Sequence, residues 1–273
     1  MAWLAVPAVA RADLRDVVNA ARLQGCRSSA RAPLRDNPRL DAAAGWLSSG
    51  QSLDAALTAA GYLAAQSSAV HLSGVTGDAD VSRVLAAHYC ATLVDPKLSE
   101  MGVQRRGGDF WMVLAAPVVV PAAADAAAVS RQILALLNLA RATGRRCGSK
   151  SFAAAGPLVL NPALTAAALA HSQEMAKYSE FAHQGHDGSS PSTRVARASY
   201  GPVLMVGENI AAGAMTPAEV TQEWLESPAH CENIMEPRFT EIGIAYAVNL
   251  SSPALVYWTQ DFALPAPVPA AQR

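Results

Sequence analysis

Charge is what this chain has least of. Only 16% of its 273 residues are Asp, Glu, Lys or Arg, and the formal net charge is -1. That excludes the basic field needed to recruit nucleic acid or an anionic membrane surface. Long apolar runs are missing as well. No uninterrupted run reaches the ~18 residues of a membrane-spanning helix. Phe110 to Ala124 comes nearest, but Asp109 precedes it and Pro117 and Pro121 cut it. Gly-x-Ser-x-Gly and His-Glu-x-x-His are also absent, so no nucleophile with an adjacent base and no zinc-protease helix is visible.

What is present is ample apolar material. Hydrophobic residues make up 51% of the chain, enough for a packed core, and the length suits one large domain or two of ordinary size. Cys26, Cys90, Cys147 and Cys231 are an even count, which permits two disulfides in an oxidising compartment. Ala2 to Ala10 is apolar, and Ala10-Arg11-Ala12 has the small-x-small form of a signal-peptidase site. Residues 1–12 therefore read as a remnant signal segment without its basic region, or else as an ordinary N-terminal stretch. The first reading places the protein outside the cytoplasm, secreted or periplasmic.

The chain repeats itself. Val17-Val18-Asn19-Ala20-Ala21-Arg22 before Gly25-Cys26 recurs as Leu136-Leu137-Asn138-Leu139-Ala140-Arg141 before Gly144 and Cys147. Asn37-Pro38-Arg39-Leu40 recurs as Asn161-Pro162-Ala163-Leu164, and Cys90 with Asp95-Pro96, Glu100 and Gly102 recurs as Cys231 with Glu236-Pro237, Glu241 and Gly243. This predicts two units, 13–117 and 125–264, joined by a Pro-bounded linker at 118–124, with an extended tail at 265–273. Three cysteine pairings are possible. The one that respects the repeat is Cys26–Cys90 with Cys147–Cys231.

In the second unit Val129, Ile133, Leu136, Leu137 and Ala140 lie on one helical face, and Gly144 is expected to end that helix. Asn161-Pro162 starts another, which puts Leu164, His171, Met175 and Tyr178 on one side. Gly185 to Pro191 reads as loop, and Val203 to Val206 as a strand or short buried segment. Thr216-Pro217-Ala218-Glu219 is a capping box, and Ser227-Pro228 restarts a short helix with His230 in its first turn. Ile242 to Val248 and Ala254 to Leu264 pair as a hairpin. The first unit has helices over Leu14 to Gln24, after Asn37-Pro38 and over Val81 to Cys90. Its hairpin joins Met101–Arg105 to Asp109–Ala116. Helices mixed with antiparallel strands in this order make the fold class α+β.

Chemistry concentrates between Phe181 and Met235. His183 follows an aromatic at the mouth of a Gly/Ser loop, and His230 lies in the first turn of a helix, a position that favours a neutral ring. Taken together, and with Glu208 as a third donor, they could hold a divalent cation, zinc first, with an open position. Glu208 has two other readings: it orients an imidazole or serves as general base, or it is a structural carboxylate at a turn. Glu223 and Glu226, flanking Trp224, are candidates for a second acid or are exposed helix carboxylates. His186 is expected in solvent and His171 in the core. His71 and His88 have no partner pattern.

The second unit resembles the CAP superfamily, the cysteine-rich secretory, antigen 5 and pathogenesis-related proteins, in its bacterial extracellular branch. The resemblance rests on Asn138-Leu139-Ala140-Arg141, Ala170-His171-Ser172, Phe181-Ala182-His183 and Gly188-Ser189-Ser190-Pro191 with Arg194. It continues through Gly207-Glu208-Asn209-Ile210-Ala211, Trp224 to Ile234, Glu241-Ile242-Gly243 and Tyr257-Trp258-Thr259-Gln260. It implies an α-β-α sandwich, a secreted or envelope location, and a cleft mapping onto His183, Glu208 and His230. The family's second cleft glutamate would fall at Ser227, so Glu223 or Glu226 would have to replace it. The family is associated with divalent metals, lipid or sterol binding and proteolysis, and the fold by itself selects none of them. The first unit is expected to be a reduced CAP-like copy. It lacks the Phe-Ala-His segment, has Tyr89 before Cys90, and has Gln66, Ser67 and Ser68 near the place of Glu208.

The resulting expectation is a cleft that binds a divalent metal and an extracellular ligand, such as a lipid, a peptide or an envelope component, more than it turns one over. The alternatives are a metal-assisted hydrolase and a non-catalytic protein interaction module.

Overall fold

Asparagine followed by proline opens a helix in each half of the chain. The side chain of Asn37 accepts from Arg39 N–H, and that of Asn161 from Ala163 and Leu164 N–H. Proline at the next position loses nothing there, because its missing N–H would have had no helical partner. The computed structural model describes residues 13–25 and 30–267. The expected signal segment at 1–12, residues 26–29 with Cys26, and residues 268–273 lie outside them. The chain divides into two compact units, 1–118 and 119–273.

The first unit runs α1 (Leu14–Gln24), β1 (Arg35–Asp36), α2 (Pro38–Leu47), α3 (Leu53–Ala59), β2 (Ala64–Leu72), α4 (Asp78–His88), α5 (Cys90–Leu93), β3 (Glu100–Arg106) and β4 (Asp109–Pro117). Its sheet has the order β1-β3-β4-β2. Strand alternation divides β4 between two cores. Phe110, Met112 and Leu114 pack with α1 and α4, whereas Val113 and Ala115 pack with α2 and α3. The helix expected over Val81 to Cys90 breaks at Tyr89 into α4 and α5. Neither α3 nor β2 was legible in advance. The middle of β2 is Gln66-Ser67-Ser68, which carries no β-branched or aromatic signal.

The second unit runs α6 (Ala126–Arg141), β5 (Arg145–Cys147), β6 (Lys150–Phe152), β7 (Val159–Leu160), α7 (Pro162–Tyr178), α8 (Pro191–Arg197), β8 (Val203–Ala212), α9 (Pro217–Glu226), α10 (Pro228–Met235), β9 (Glu241–Val248) and β10 (Val256–Pro265). The sheet order is β7-β9-β10-β8, with β7 parallel to β9 and the rest antiparallel. One face carries the main core, where Ile133, Leu137, Val220, Trp224 and Ile234 meet Ile242, Ile244, Trp258 and Phe262. The other face is covered by α7 and α8 through Leu164, Ala167, Val195 and Ala263. Helices on both faces of one sheet make this an α-β-α sandwich.

A close approach seats α7. A Cβ at Gly243 would overlap the carbonyl carbon of Leu164, so only glycine lets the helix backbone rest on β9. Gly102 meets the backbone of Leu40 in α2 in the same way. Buried polar anchors also recur. Asn138 exchanges hydrogen bonds with the backbone of Leu158, and Arg141 donates to the carbonyls of Gly156, Ile234, Glu236 and Phe239. In the first unit Asn19 does the same with Leu34, and Arg22 donates to the carbonyls of Ala32, Leu93, Asp95 and Leu98.

Two expectations need correction. Helix α6 ends at Arg141, with Ala142 as a right-handed C-cap whose N–H makes the last helical bond, to Asn138, so no left-handed Gly144 cap is used. The tail does not begin at Pro265. That residue closes β10 opposite Val203 at a register shift, where a missing N–H costs no ladder bond, and Ala266 N–H then donates to Pro202.

Candidate functional site

Strand β8 sets the site. It was expected to stop near Val206 but runs on to Ala212, pairing with β10 so that Glu208 faces Asp261 and Asn209 faces Gln260. Alternation sends the two pairs to opposite sides of the sheet. Because β8 is an edge strand, groups from both sides can approach each other around it.

On the α7 and α8 side Glu208 is buried, its side chain only 2% exposed. Its Oε2 accepts from Arg194 Nη2 at 2.5 Å, and its Oε1 accepts from His183 Nδ1 at 2.8 Å. The guanidinium of Arg194 also donates to the carbonyls of Ser189 and His183 at 2.9 Å, which ties the loop to α8. Glu208 is therefore an orienting carboxylate. By accepting from Nδ1–H it fixes the tautomer of His183 and leaves Nε2 with a free lone pair. The His183 side chain is 54% exposed, so the ring meets solvent.

His171 of α7 lies behind this pair, fully buried, with its Nε2 donating to the Ala182 carbonyl at 3.0 Å. Burial lowers its pKa first, and the Arg194 charge adds to that; Glu208, the Ala182 carbonyl and Glu174 oppose it. It stays neutral, as a core histidine would.

On the other side, α10 is fastened to β8. Asn209 Nδ2 donates to the His230 carbonyl at 3.2 Å and to Gln260 at 3.1 Å, while Asn233 Nδ2 donates to the Glu208 carbonyl and to Asn209 Oδ1. Cys231, next to His230, is bridged to Cys147 with the Cα atoms 5.5 Å apart. Cys90 is also disulfide-bonded, whereas Cys26 lies outside the described residues. The imidazole of His230 is half-buried, and burial lowers its pKa, with the nearby His183 ring adding to the effect. Glu208 thus stands behind the His183 ring, and that ring acts electrostatically on His230.

The remaining candidates fall elsewhere. His186 stacks on Tyr178 and bonds Glu180 at 3.1 Å on the surface. His71 stacks on Trp111 in the first unit. Glu223 is exposed, its carboxyl raised by partial burial and by Glu219 and Glu226, and Glu226 accepts from Gln222 on its own helix. Among the described residues no hydrogen bond or ion pair joins either acid to His183, Glu208 or His230.

Arg194 and Asp261 escaped notice as site residues. A signal for each existed. Ser190-Pro191 is the same cap-and-proline start that marks α7 and α9, and it opens α8 with Arg194 in it. Asp261 is an acid in the middle of the otherwise buried strand β10.

Zinc suits imidazole nitrogen. Both Glu208 oxygens, however, already accept from Arg194 and His183, and its side chain is buried behind the His183 ring. Among the described residues no three His, Cys, Asp or Glu side chains stand together as a metal site. The nitrogen donors left among the expected ligands are those of His183 and His230.

Residues 134–262 match the family described as the cysteine-rich secretory protein family, CAP. The protein YkwD of Bacillus subtilis (strain 168) is 38% identical over 107 residues, covering 39% of this chain and only 39% of that protein's length. An extracellular protein containing an SCP domain from Bacillus anthracis str. Ames is 21% identical, with a TM-score of 0.42 over 57% of this chain and 52% of that one. An outer surface protein from Borrelia burgdorferi is 16% identical, with a TM-score of 0.42 over 54% of this chain and 97% of that one.

Proposed function

We propose that the second unit, whose residues 134–262 match the cysteine-rich secretory protein family, CAP, is the ligand-binding module of a secreted or periplasmic protein. The observation that carries this reading is the exposed imidazole of His183, fixed in tautomer by the buried carboxylate of Glu208, with the half-buried His230 ring feeling its charge. A ring held in that tautomer turns its Nε2 lone pair to a hydrogen-bond donor or a cation. The disulfides support the location, since they persist in oxidising compartments.

A divalent cation, zinc foremost, would be held by His183 and His230, and its chemistry there would be to polarise a bound oxygen of the ligand. Glu208 holds the His183 ring in place, and Arg194 holds Glu208. Calorimetric zinc titration of the wild type against His183→Ala/His230→Ala tests the cation. A heat in the wild type that the double variant loses supports it, and equal heats overturn it.

We also propose that the first unit is a second copy of the scaffold without the cleft. The equal sheet orders and the matching anchors at Asn19, Arg22 and Gly102 support this. The register corrects one detail. Glu208 faces Asp261, which faces Gly243; Ala69 faces Val113, which faces Gly102. The counterpart of Glu208 is thus Ala69, one place beyond Gln66-Ser67-Ser68.

The exposed ring of His183 favours one second reading, hydrolysis of a peptide or envelope substrate with its Nε2 as base. Turnover that Glu208→Gln lowers by orders of magnitude would establish it. Binding without turnover would leave the cleft as a receptor.

A further inference from the structure

Asp261 is fully buried on β10, and neither of its carboxyl oxygens accepts a hydrogen bond from any donor among the described residues. An ionised carboxylate in that condition has given up water and received nothing in return. A carboxylic acid is different, because it has a proton to donate. Its facing residue across the strand pair is Glu208, and directly opposed residues on one face bring their Cβ atoms to about 4.5–5.5 Å. The Glu208 carboxylate uses one lone pair of each oxygen on Arg194 and His183, and a carboxylate has about four to offer.

The charges around the spot can be counted element by element. Strand β8 contributes Glu208. Helix α8 contributes Arg194. Helix α7 contributes His171, 3.8 Å from Glu208, with Glu174 beyond it at 3.7 Å from the other ring nitrogen. Strand β9 contributes only Gly243 opposite Asp261. Were both acids ionised, two buried negative charges would face one guanidinium. With one proton kept, the acids and Arg194 sum to zero.

We propose that Asp261 stands in the folded protein as a neutral carboxylic acid donating to the Glu208 carboxylate, so that the two form a proton-sharing dyad with a single negative charge. Burial and the charge of Glu208 both push the Asp261 carboxyl well up, and Arg194 only partly opposes them. Asp261 touches no ligand and is a positioning residue. Its proton keeps Glu208 matched by Arg194 alone. A second negative charge there would set two buried anions against that one guanidinium. The use made of the oriented His183 ring, though not the dyad itself, rests on the cleft reading above.

Two measurements on the full chain test the dyad. Carbon NMR of the Asp261 carboxyl reads its protonation directly, and the expected result is the protonated shift maintained through neutral pH. The second compares unfolding of the wild type and Asp261→Asn across pH, since the asparagine amide is uncharged and can still donate to Glu208. The folded wild type keeps a proton that the unfolded chain releases above the ordinary Asp range near pH ~4. Its folding constant relative to Asp261→Asn therefore falls about tenfold per pH unit from there up to the folded pKa. An ionised Asp261 carboxyl at neutral pH, or parallel pH profiles, overturns the proposal. Should the variant fail to fold, the NMR measurement on the wild type decides alone. Neither measurement uses a metal or a ligand, so a failed zinc titration and a failed dyad are separate results.

Discussion

The side-chain amide of Asn209 reaches from β8 to the main-chain carbonyl of His230, 3.2 Å away on α10. One residue after the buried acid thus fastens the helix that carries the second imidazole. Asn209 is itself fully buried and also binds Gln260 and Asn233. Asn209→Ala would leave those amides short of partners, at a cost of about 1–3 kcal/mol per buried group left unsatisfied. The expected outcome is a lower denaturant midpoint and weaker binding in the cleft, although no ligand-facing atom has been removed.

Arg194→Met should be more damaging than an ordinary surface arginine change. The Arg194–Glu208 pair is almost fully buried, 5% and 2% exposed. Removing the cation strands a buried carboxylate, which costs about 3–5 kcal/mol. It also releases the carbonyls of His183 and Ser189. Chemical denaturation should show the loss, and limited proteolysis should find a new cut between residues 183 and 190.

His171 gives stability a pH dependence of the opposite sign to that of Asp261. Its folded pKa is lowered, chiefly by burial, so the unfolded chain takes up the proton first. The neutral ring therefore contributes fully above the unfolded value of about pH 6.5, and its contribution is lost as pH falls from there through the folded pKa. His171→Gln, which can still donate to the Ala182 carbonyl, should flatten the acid limb of an unfolding profile. An unchanged limb would mean that other groups set it.

The Cys147–Cys231 bridge closes a loop with a sequence separation of 84. On the chain-entropy account its loss costs on the order of 4–5 kcal/mol. Cys147→Ser/Cys231→Ser should show this as a lowered thermal midpoint. It should also loosen α10, which the bridge joins to β5, and so reduce binding in the cleft.

Much of the second unit was legible because its signals are local. The caps at Asn161 and Thr216, and the prolines after them and after Ser227, start α7, α9 and α10 at the expected residues, because such signals need only the next three positions. The alternation in Ile242 to Val248 marks β9, since a strand half in contact with helices repeats every second residue. The Cys147–Cys231 pairing followed from the repeat. Tertiary structure decided the rest. The neighbour of Glu208 is set by the register of β8 against β10, and no spacing along the chain encodes which acid that strand brings opposite it. Arg194 reaches Glu208 only because α8 packs back over α7, so its role depends on where two distant segments come to lie. Sequence alone placed two histidines and an acid in one stretch. The folded sheet determined that the acid would orient one ring, and it set a second, buried acid directly across from the first.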